Sequence, residues 1–149
     1  RLSNGMAWTQ DNETLYFIDS PTRSVYKYDF DLNKGEIKNR SECISIPDEY
    51  GVGDGMDIDI DGNLWIAHWT GWCVGKWDPR TGELLGKIDL PVSRVASCAF
   101  GGTDFEELYI VTASVNTDID DKPQPLAGQT FVASELGTRG LPFNRFSLV

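Results

Sequence analysis

Hydrophobic residues recur at every second position in short runs along the chain, and glycine, proline, asparagine and aspartate separate these runs. Such alternation predicts half-buried β-strands bounded by turns. Three of the runs begin with leucine and an aromatic residue, at Leu15, Leu64 and Leu108, and so recur roughly every 45 to 50 residues. No stretch of about ten or more residues has the periodicity of a helix. The sequence therefore predicts an all-β protein built from a repeated unit.

Two further pairs of segments keep the same spacing. Asn4-Gly5-Met6 recurs as Asp54-Gly55-Met56, and these segments hold the only two methionines. The turn sequence DLNKGE, which begins at Asp31, recurs as DPRTGE from Asp78. Each repeat contains four short strands joined by turns. Four strands in a unit of about 40 to 50 residues are typical of a β-propeller blade.

We predict three four-stranded blades, near residues 3–50, 51–92 and 93–149, with an insertion over 114–126 in the third. Three blades do not close a ring, because propellers use about four to eight. The chain also begins at Arg1, without an initiator methionine and inside the first copy of the repeat. We therefore expect a fragment or a processed chain whose ring is completed by a missing half or by another copy.

Asn4 and Asp54 occupy the same position in neighbouring repeats. In blades of this kind the residue entering the first strand and the residues leaving the second lie at one end, so both side chains are expected near the central channel. Converging oxygen ligands suit a hard cation such as Ca²⁺ or Mg²⁺. The alternative is purely structural, since Asn-Gly and Asp-Gly are also the commonest tight-turn dipeptides.

The same end of the predicted propeller carries the segment from His68 to Trp72. His68 is the only histidine, and it is a candidate for proton transfer or substrate contact. It is otherwise a strand-end histidine satisfied by a neighbour. Trp69 is a candidate wall of a substrate pocket, or else a tryptophan that only packs between blades.

An acidic segment, from Asp57 to Asp61, matches the opening of an EF-hand calcium loop. The twelfth position, which needs a bidentate glutamate, is His68, and the flanks are predicted strands. We therefore interpret the aspartates as the polar face of a strand followed by a turn. Cys98 lies in an alternating strand run, so a buried structural cysteine is favoured over a nucleophile.

The net charge of −10 disfavours nucleic acid and anionic membrane surfaces as partners. No apolar stretch approaches the roughly 18 residues needed to cross a bilayer. The three cysteines are an odd number without the close spacing of zinc or redox motifs. We interpret them as reduced, which favours a cytoplasmic location.

The chain resembles the C-terminal half of the regucalcin (senescence marker protein-30) and gluconolactonase family of six-bladed propellers. The resemblance covers nearly the whole chain, in the family's order. The matching segments are SNGMAW from Ser3, LYFIDS from Leu15, DGMDID from Asp54, GNLWIA from Gly62, LPV from Leu90, CAFGG from Cys98, ELYIVT from Glu107 and QPLAG from Gln124.

The resemblance implies a divalent cation in the central channel, held in the family by a glutamate, an asparagine and an aspartate. The last two correspond to Asn4 and Asp54, whereas the glutamate and the residues that hold the sugar belong to the half that this chain does not match. The resemblance also implies a reaction, the hydrolysis of a sugar lactone assisted by Ca²⁺, Mg²⁺, Mn²⁺ or Zn²⁺. Asp54 would serve as a ligand and would also handle the proton of the attacking water.

The 149-residue chain by itself is expected to lack this activity, because it carries only two of the implied ligands. A second interpretation belongs to a different class of function. In it the molecule is a non-catalytic propeller that binds calcium or serves as an interaction platform.

Overall fold

The computed structural model describes residues 2–115 and 123–143, and the fold in these residues is all-β. Besides strands it contains two single-turn 3-10 helices, Ser20–Thr22 and Asp48–Tyr50. No helix in the described ranges is long and apolar enough to cross a membrane. The predicted all-β class is therefore confirmed.

Eleven strands form three antiparallel sheets in the part of the chain that the structure describes. The first sheet has the order β1-β2-β3-β4 and the second the order β5-β6-β7-β8. The third has the order β11-β10-β9, so it contains three described strands where four were predicted. The strands are β1 (Ser3–Trp8), β2 (Thr14–Asp19), β3 (Ser24–Asp31), β4 (Glu36–Ser45), β5 (Val52–Ile58), β6 (Leu64–Trp69), β7 (Cys73–Asp78), β8 (Glu83–Asp89), β9 (Val95–Gly101), β10 (Glu107–Thr112) and β11 (Thr130–Ala133).

The three sheets pack face to face in chain order. One core cluster joins the first sheet to the second, with Ile18 and Val25 against Met56 and Ile66. Another joins the second to the third and includes Trp65, Ala67, Phe100 and Leu108. The first strands of successive sheets are neighbours, since β1 contacts β5 and β5 contacts β9. The hydrophobic alternation in the sequence thus supplies two buried faces for the central sheet.

The outer faces of the first and third sheets remain exposed. Met6 on β1 is 54% exposed, whereas Met56 at the same position of β5 is 7% exposed. At the other end Tyr109 is 39% exposed, whereas the equivalent Trp65 is 4% exposed. Met6 and Tyr109 are thus exposed because no described sheet covers them, whereas the equivalent residues of the central sheet are covered by a neighbouring sheet.

Two details differ from the predicted strands. The fourth strand of the first sheet begins at Glu36 rather than near Glu42, because its polar first half pairs with β3 while remaining exposed. The predicted insertion over 114–126 falls partly on residues 116–122, which lie outside the described residues. Its last described part leads into β11.

Candidate metal-binding cleft

Asn4 lies in a β-bulge rather than in a tight turn. In the pairing of β1 with β2, Ser3 is opposite Asp19 and Met6 is opposite Phe17, so β1 uses one residue more than β2 over this interval. The extra residue falls at Asn4-Gly5. A bulge bends its strand and directs a side chain away from the regular ladder, and bulges are common next to functional sites.

Asp54 lies in an equivalent bulge in the second sheet. Gly53 is opposite His68 and Met56 is opposite Ile66, so the extra residue falls at Asp54-Gly55. Both dipeptides are therefore inside strands, and the tight-turn alternative considered for them is wrong. The third sheet has the same irregularity at Ala96, where Val95 is opposite Thr112 and Ser97 is opposite Val111.

Glycine follows each candidate ligand because the first strands of adjacent sheets approach closely there. A Cβ atom on Gly5 would lie 2.7 Å from the backbone nitrogen of Met56. A Cβ atom on Gly55 would lie 2.1 Å from Oγ of Ser97. A side chain at either position would force the strands apart. The Gly-Met pairs therefore bring two bulges side by side.

The two bulges open into one cleft of about 240 Å³. The side chains of Asn4 and Asp54 line it together, as the spacing of the repeat predicts. The amide of Asn4 donates a hydrogen bond from Nδ2 to Oγ of Ser20 over 3.2 Å. Oγ of Ser20 in turn donates to the backbone carbonyl of Gly53 over 2.7 Å. The lining residues are Leu2, Asn4, Ser20, Val52, Asp54 and Trp69.

The carboxylate of Asp54 lies in an environment that disfavours its charge. Burial raises the pKa of Asp54, and a hydrogen bond from the Asn4 amide lowers it in part. Within residues 2–115 and 123–143, no lysine or arginine forms an ion pair with this carboxylate. A bound cation would offset the loss of hydration, because an opposite charge nearby favours the ionised form.

The donor set fits a hard divalent cation, since it consists of one amide and one carboxylate. It does not amount to a complete site. The described residues contain no cluster of three or more histidine, cysteine, aspartate and glutamate side chains that could hold a metal. Asn4 and Asp54 thus offer two oxygen donors, which is fewer than a hard divalent cation needs.

Trp69 and His68 are adjacent in sequence but lie in different environments. Trp69 lines the cleft, and the guanidinium carbon of Arg94 lies 5.6 Å from the centre of its ring. His68 is 0% exposed. Its Nε2 accepts a hydrogen bond from Nε1 of Trp77 over 3.1 Å, and its ring packs against Tyr50. This placement does not support the prediction that His68 contacts a substrate, because the side chain does not line the cleft.

Burial also lowers the pKa of His68 to about 4. The imidazole is therefore neutral at physiological pH, as the accepted hydrogen bond from Trp77 requires. The sequence could not show this burial, because the position of His68 at a strand end does not tell whether other strands cover its side chain.

The aspartates of the segment resembling a calcium loop differ in exposure, since Asp61 is exposed, Asp57 is partly buried and Asp59 is buried. Asp59 is 1% exposed. Its carboxylate accepts hydrogen bonds from the backbone of Asp61 and Asn63 and from the indole of Trp65, and it pairs with Lys76. Hydrogen bonds and ion pairs of this kind stabilise a buried carboxylate. The segment is a tightly bonded turn rather than a cation loop.

Cys98 is also structural. Its side chain is 4% exposed, and Sγ contacts the carbonyl oxygen of Trp65 over 3.2 Å. Burial raises the pKa of its thiol, which disfavours the nucleophilic thiolate.

A family model described as "SMP-30/Gluconolactonase/LRE-like region" matches residues 1–114. The chain belongs to this family. Among curated relatives, regucalcin of Danio rerio is 40% identical over 142 residues, which cover 95% of this chain and 48% of the relative. Regucalcin of Homo sapiens is 39% identical over 141 residues, which cover 94% and 47%. This SMP-30/gluconolactonase family chain thus spans about half the length of these two regucalcins.

Solved structures give the same result for the fold. A luciferin-regenerating enzyme matches with a TM-score of 0.85 and 33% identity, covering 94% of this chain and 47% of its own. A calcium-binding regucalcin from Agrobacterium tumefaciens matches with a TM-score of 0.84 and 24% identity, covering 97% and 50%. These matches confirm the predicted β-propeller fold and the predicted membership of the SMP-30/gluconolactonase family. They also confirm that the chain corresponds to the C-terminal half of its relatives.

Three residues of the cleft, Leu2, Ser20 and Val52, were not among the predicted site residues, and Ser20 is the polar one. Ser20 directly follows β2, and residues that leave a second strand were expected at this end of the propeller. The sequence did not indicate that its hydroxyl group bonds to the side chain of Asn4, because that contact depends on the bulge.

Proposed function

We propose that this chain is part of a divalent-metal-dependent hydrolase of sugar lactones. The observation that carries the proposal is the pair of bulges that places Asn4 and Asp54 in one cleft, with a half-buried carboxylate that no basic side chain among the described residues neutralises. A gluconolactonase from Xanthomonas campestris, 31% identical over 73% of this chain with a TM-score of 0.59, supports the substrate class.

The residues of the chain divide the chemistry between them. When bound, a divalent cation supplies a Lewis acid for the lactone carbonyl. Asn4 and Asp54 hold that cation, and Asp54 also accepts the proton of the attacking water. A carboxylate beside a dication stays ionised, so Asp54 would act as this base only after loosening from the cation. Trp69 offers an apolar wall against which the carbon face of a sugar ring can pack.

We propose that the working unit contains further blades. In this proposal the units near 3–50, 51–92 and 93–149 are one half of a propeller, and a third oxygen ligand, a glutamate, comes from the other half. The match to about half of each relative supports this view. The 149-residue chain alone is then expected to bind divalent cations weakly and to lack lactonase activity.

A second candidate function is calcium binding without catalysis. The observation that favours it is the Agrobacterium tumefaciens structure, which is described as that of a calcium-binding protein. The same cleft would then serve Ca²⁺ storage or a structural role. For either function we propose a cytoplasmic location, which three unpaired cysteines support, and partners other than nucleic acid or membranes.

The test is an assay of the full-length protein on glucono-1,5-lactone with EDTA or with added Mg²⁺, Mn²⁺, Zn²⁺ or Ca²⁺. We expect metal-stimulated turnover that falls on the order of 100-fold or more in Asp54→Asn. Asp57→Asn is the matched control, because burial also raises the pKa of Asp57 although this residue lies outside the cleft. Undiminished turnover in Asp54→Asn would remove Asp54 from the mechanism. Calcium binding without turnover would favour the second candidate.

A further inference from the structure

We propose that Ser20 is a positioning residue that orients the side-chain amide of Asn4, so that its oxygen rather than its nitrogen faces a cation in the cleft. The inference rests on the proposed function, because it concerns the same site. It assigns a role to a residue that would not be a metal ligand itself.

Ser20 is held firmly before its hydroxyl group makes any contact. It is the first residue after β2 and opens the 3-10 turn Ser20–Thr22. Its backbone N–H donates to the carbonyl of Leu2, and its carbonyl accepts from the N–H of Arg23, both over 3.1 Å. The residue is 2% exposed. The hydroxyl group therefore has few other partners to choose from.

The direction of each hydrogen bond follows from the chemistry of the groups. The carbonyl of Gly53, 2.7 Å from Oγ of Ser20, can only accept, so the single proton of the hydroxyl is donated to it. Oγ of Ser20 can then only accept from Asn4, 3.2 Å away. The end of the Asn4 side chain that faces Ser20 must therefore be the NH₂ group, since an amide oxygen carries no proton.

A reversed amide has no favourable contact at this position. It would turn the oxygen of Asn4 toward the hydroxyl group of Ser20, whose single proton is already donated to Gly53. The nitrogen of Asn4 is therefore committed to Ser20, and its oxygen is the atom left to bind a cation.

The same network explains why the two repeats differ. Asp19 is opposite Ser3 and His68 is opposite Gly53, so Ser20 and Trp69 follow at equivalent positions. Trp69, the counterpart of Ser20, thus brings no hydroxyl group to Asp54. A carboxylate at position 4 would face the committed hydroxyl of Ser20 without a proton to share. Asparagine suits the first bulge, and aspartate suits the second.

The experiment measures Ca²⁺ affinity of the full-length protein by isothermal titration calorimetry, together with the melting temperature of the metal-free protein. We expect Ser20→Ala to weaken Ca²⁺ binding by about 10-fold to 100-fold, the usual cost of losing a group that orients a ligand. Ser20→Thr, which keeps a hydroxyl group, should restore most of the affinity. In an Asn4→Ala background, Ser20→Ala should weaken binding no further.

Asn4→Asp provides an independent readout that does not disturb Ser20. The added charge alone would tighten Ca²⁺ binding, whereas the proposal predicts weaker binding, because the carboxylate faces Oγ of Ser20 without a donor. Tighter binding by Asn4→Asp would overturn the proposal. So would a lower melting temperature of Ser20→Ala with unchanged Ca²⁺ affinity, or an undiminished effect of Ser20→Ala in the Asn4→Ala background.

The outcomes also separate this proposal from the proposed reaction. Wild-type protein that shows the expected Ca²⁺ affinities but no lactone turnover would support the role of Ser20 and contradict the hydrolase. Wild-type protein that binds no divalent cation would overturn both.

Discussion

His68 shows how one buried side chain can link stability to pH. Its ring is 0% exposed between Tyr50 and Trp77, and it accepts a hydrogen bond that only the neutral imidazole can accept. Burial therefore lowers its pKa from 6.5 to about 4. The sequence indicated a titratable group near the site, but it could not predict the direction of the shift, which depends on packing between strands.

We predict that the free energy of unfolding falls as pH decreases from about 6.5 to about 4. In this window the unfolded chain binds a proton at His68 and the folded chain does not, so acid favours unfolding. The loss over the whole window is about 3 kcal/mol. Urea denaturation of the wild type and of His68→Gln across this pH range measures the prediction. The difference between the two proteins is the contribution of His68, separated from that of the aspartates. Equal pH dependence in the two proteins would contradict the assignment.

At the scale of elements, the bulges set what the sequence could and could not predict. The spacing of Asn4 and Asp54 predicted that both residues lie at the same end of adjacent sheets, and both line one cleft. They were expected as the residues that enter the first strands, although they lie inside strands that begin at Ser3 and Val52. A bulge interrupts the two-residue alternation on which the prediction depends, so the start of each strand was missed.

The close approach of strands at these bulges can be tested with a pair of glycines. In Gly55→Ala the new methyl group would lie 2.1 Å from Oγ and 2.8 Å from Cα of Ser97, so the backbone must move. We expect a loss of about 1–3 kcal/mol in the free energy of unfolding. Gly86→Ala on β8 is the control, because nothing lies within 4 Å of its new methyl group. Similar denaturation midpoints for both variants would show that β5 and β9 are not tightly apposed.

At the scale of the whole molecule, the exposed outer faces are the main feature that the sequence left open. The repeat predicted three packed units, and the structure contains three packed sheets. Periodicity shows which residues of a strand are hydrophobic but not whether a neighbour covers them. Met6 and Met56 occupy equivalent positions, yet only Met56 is buried in the described structure.

We predict that the two methionines differ in their contribution to stability in the 149-residue chain. Met56→Ala removes a side chain from the core between the first and second sheets and should cost about 2–5 kcal/mol. Met6→Ala should cost less than about 1 kcal/mol, because Met6 is already 54% exposed. Guanidinium denaturation measures both. A comparable loss from Met6→Ala would mean that another surface covers the first sheet in solution.

The recurrence of the bulge also bears on how such a protein can change its chemistry. The extra residue of each bulge is asparagine, aspartate or alanine, at Asn4, Asp54 and Ala96. The extra residue of a bulge is left out of the hydrogen-bonded ladder, so its side chain can change without breaking a pair of the ladder. Selection can therefore exchange these side chains one sheet at a time while the surrounding sheets stay unchanged. The three bulges of the described sheets are thus positions at which one substitution would add, remove or replace an oxygen donor in an otherwise unchanged fold.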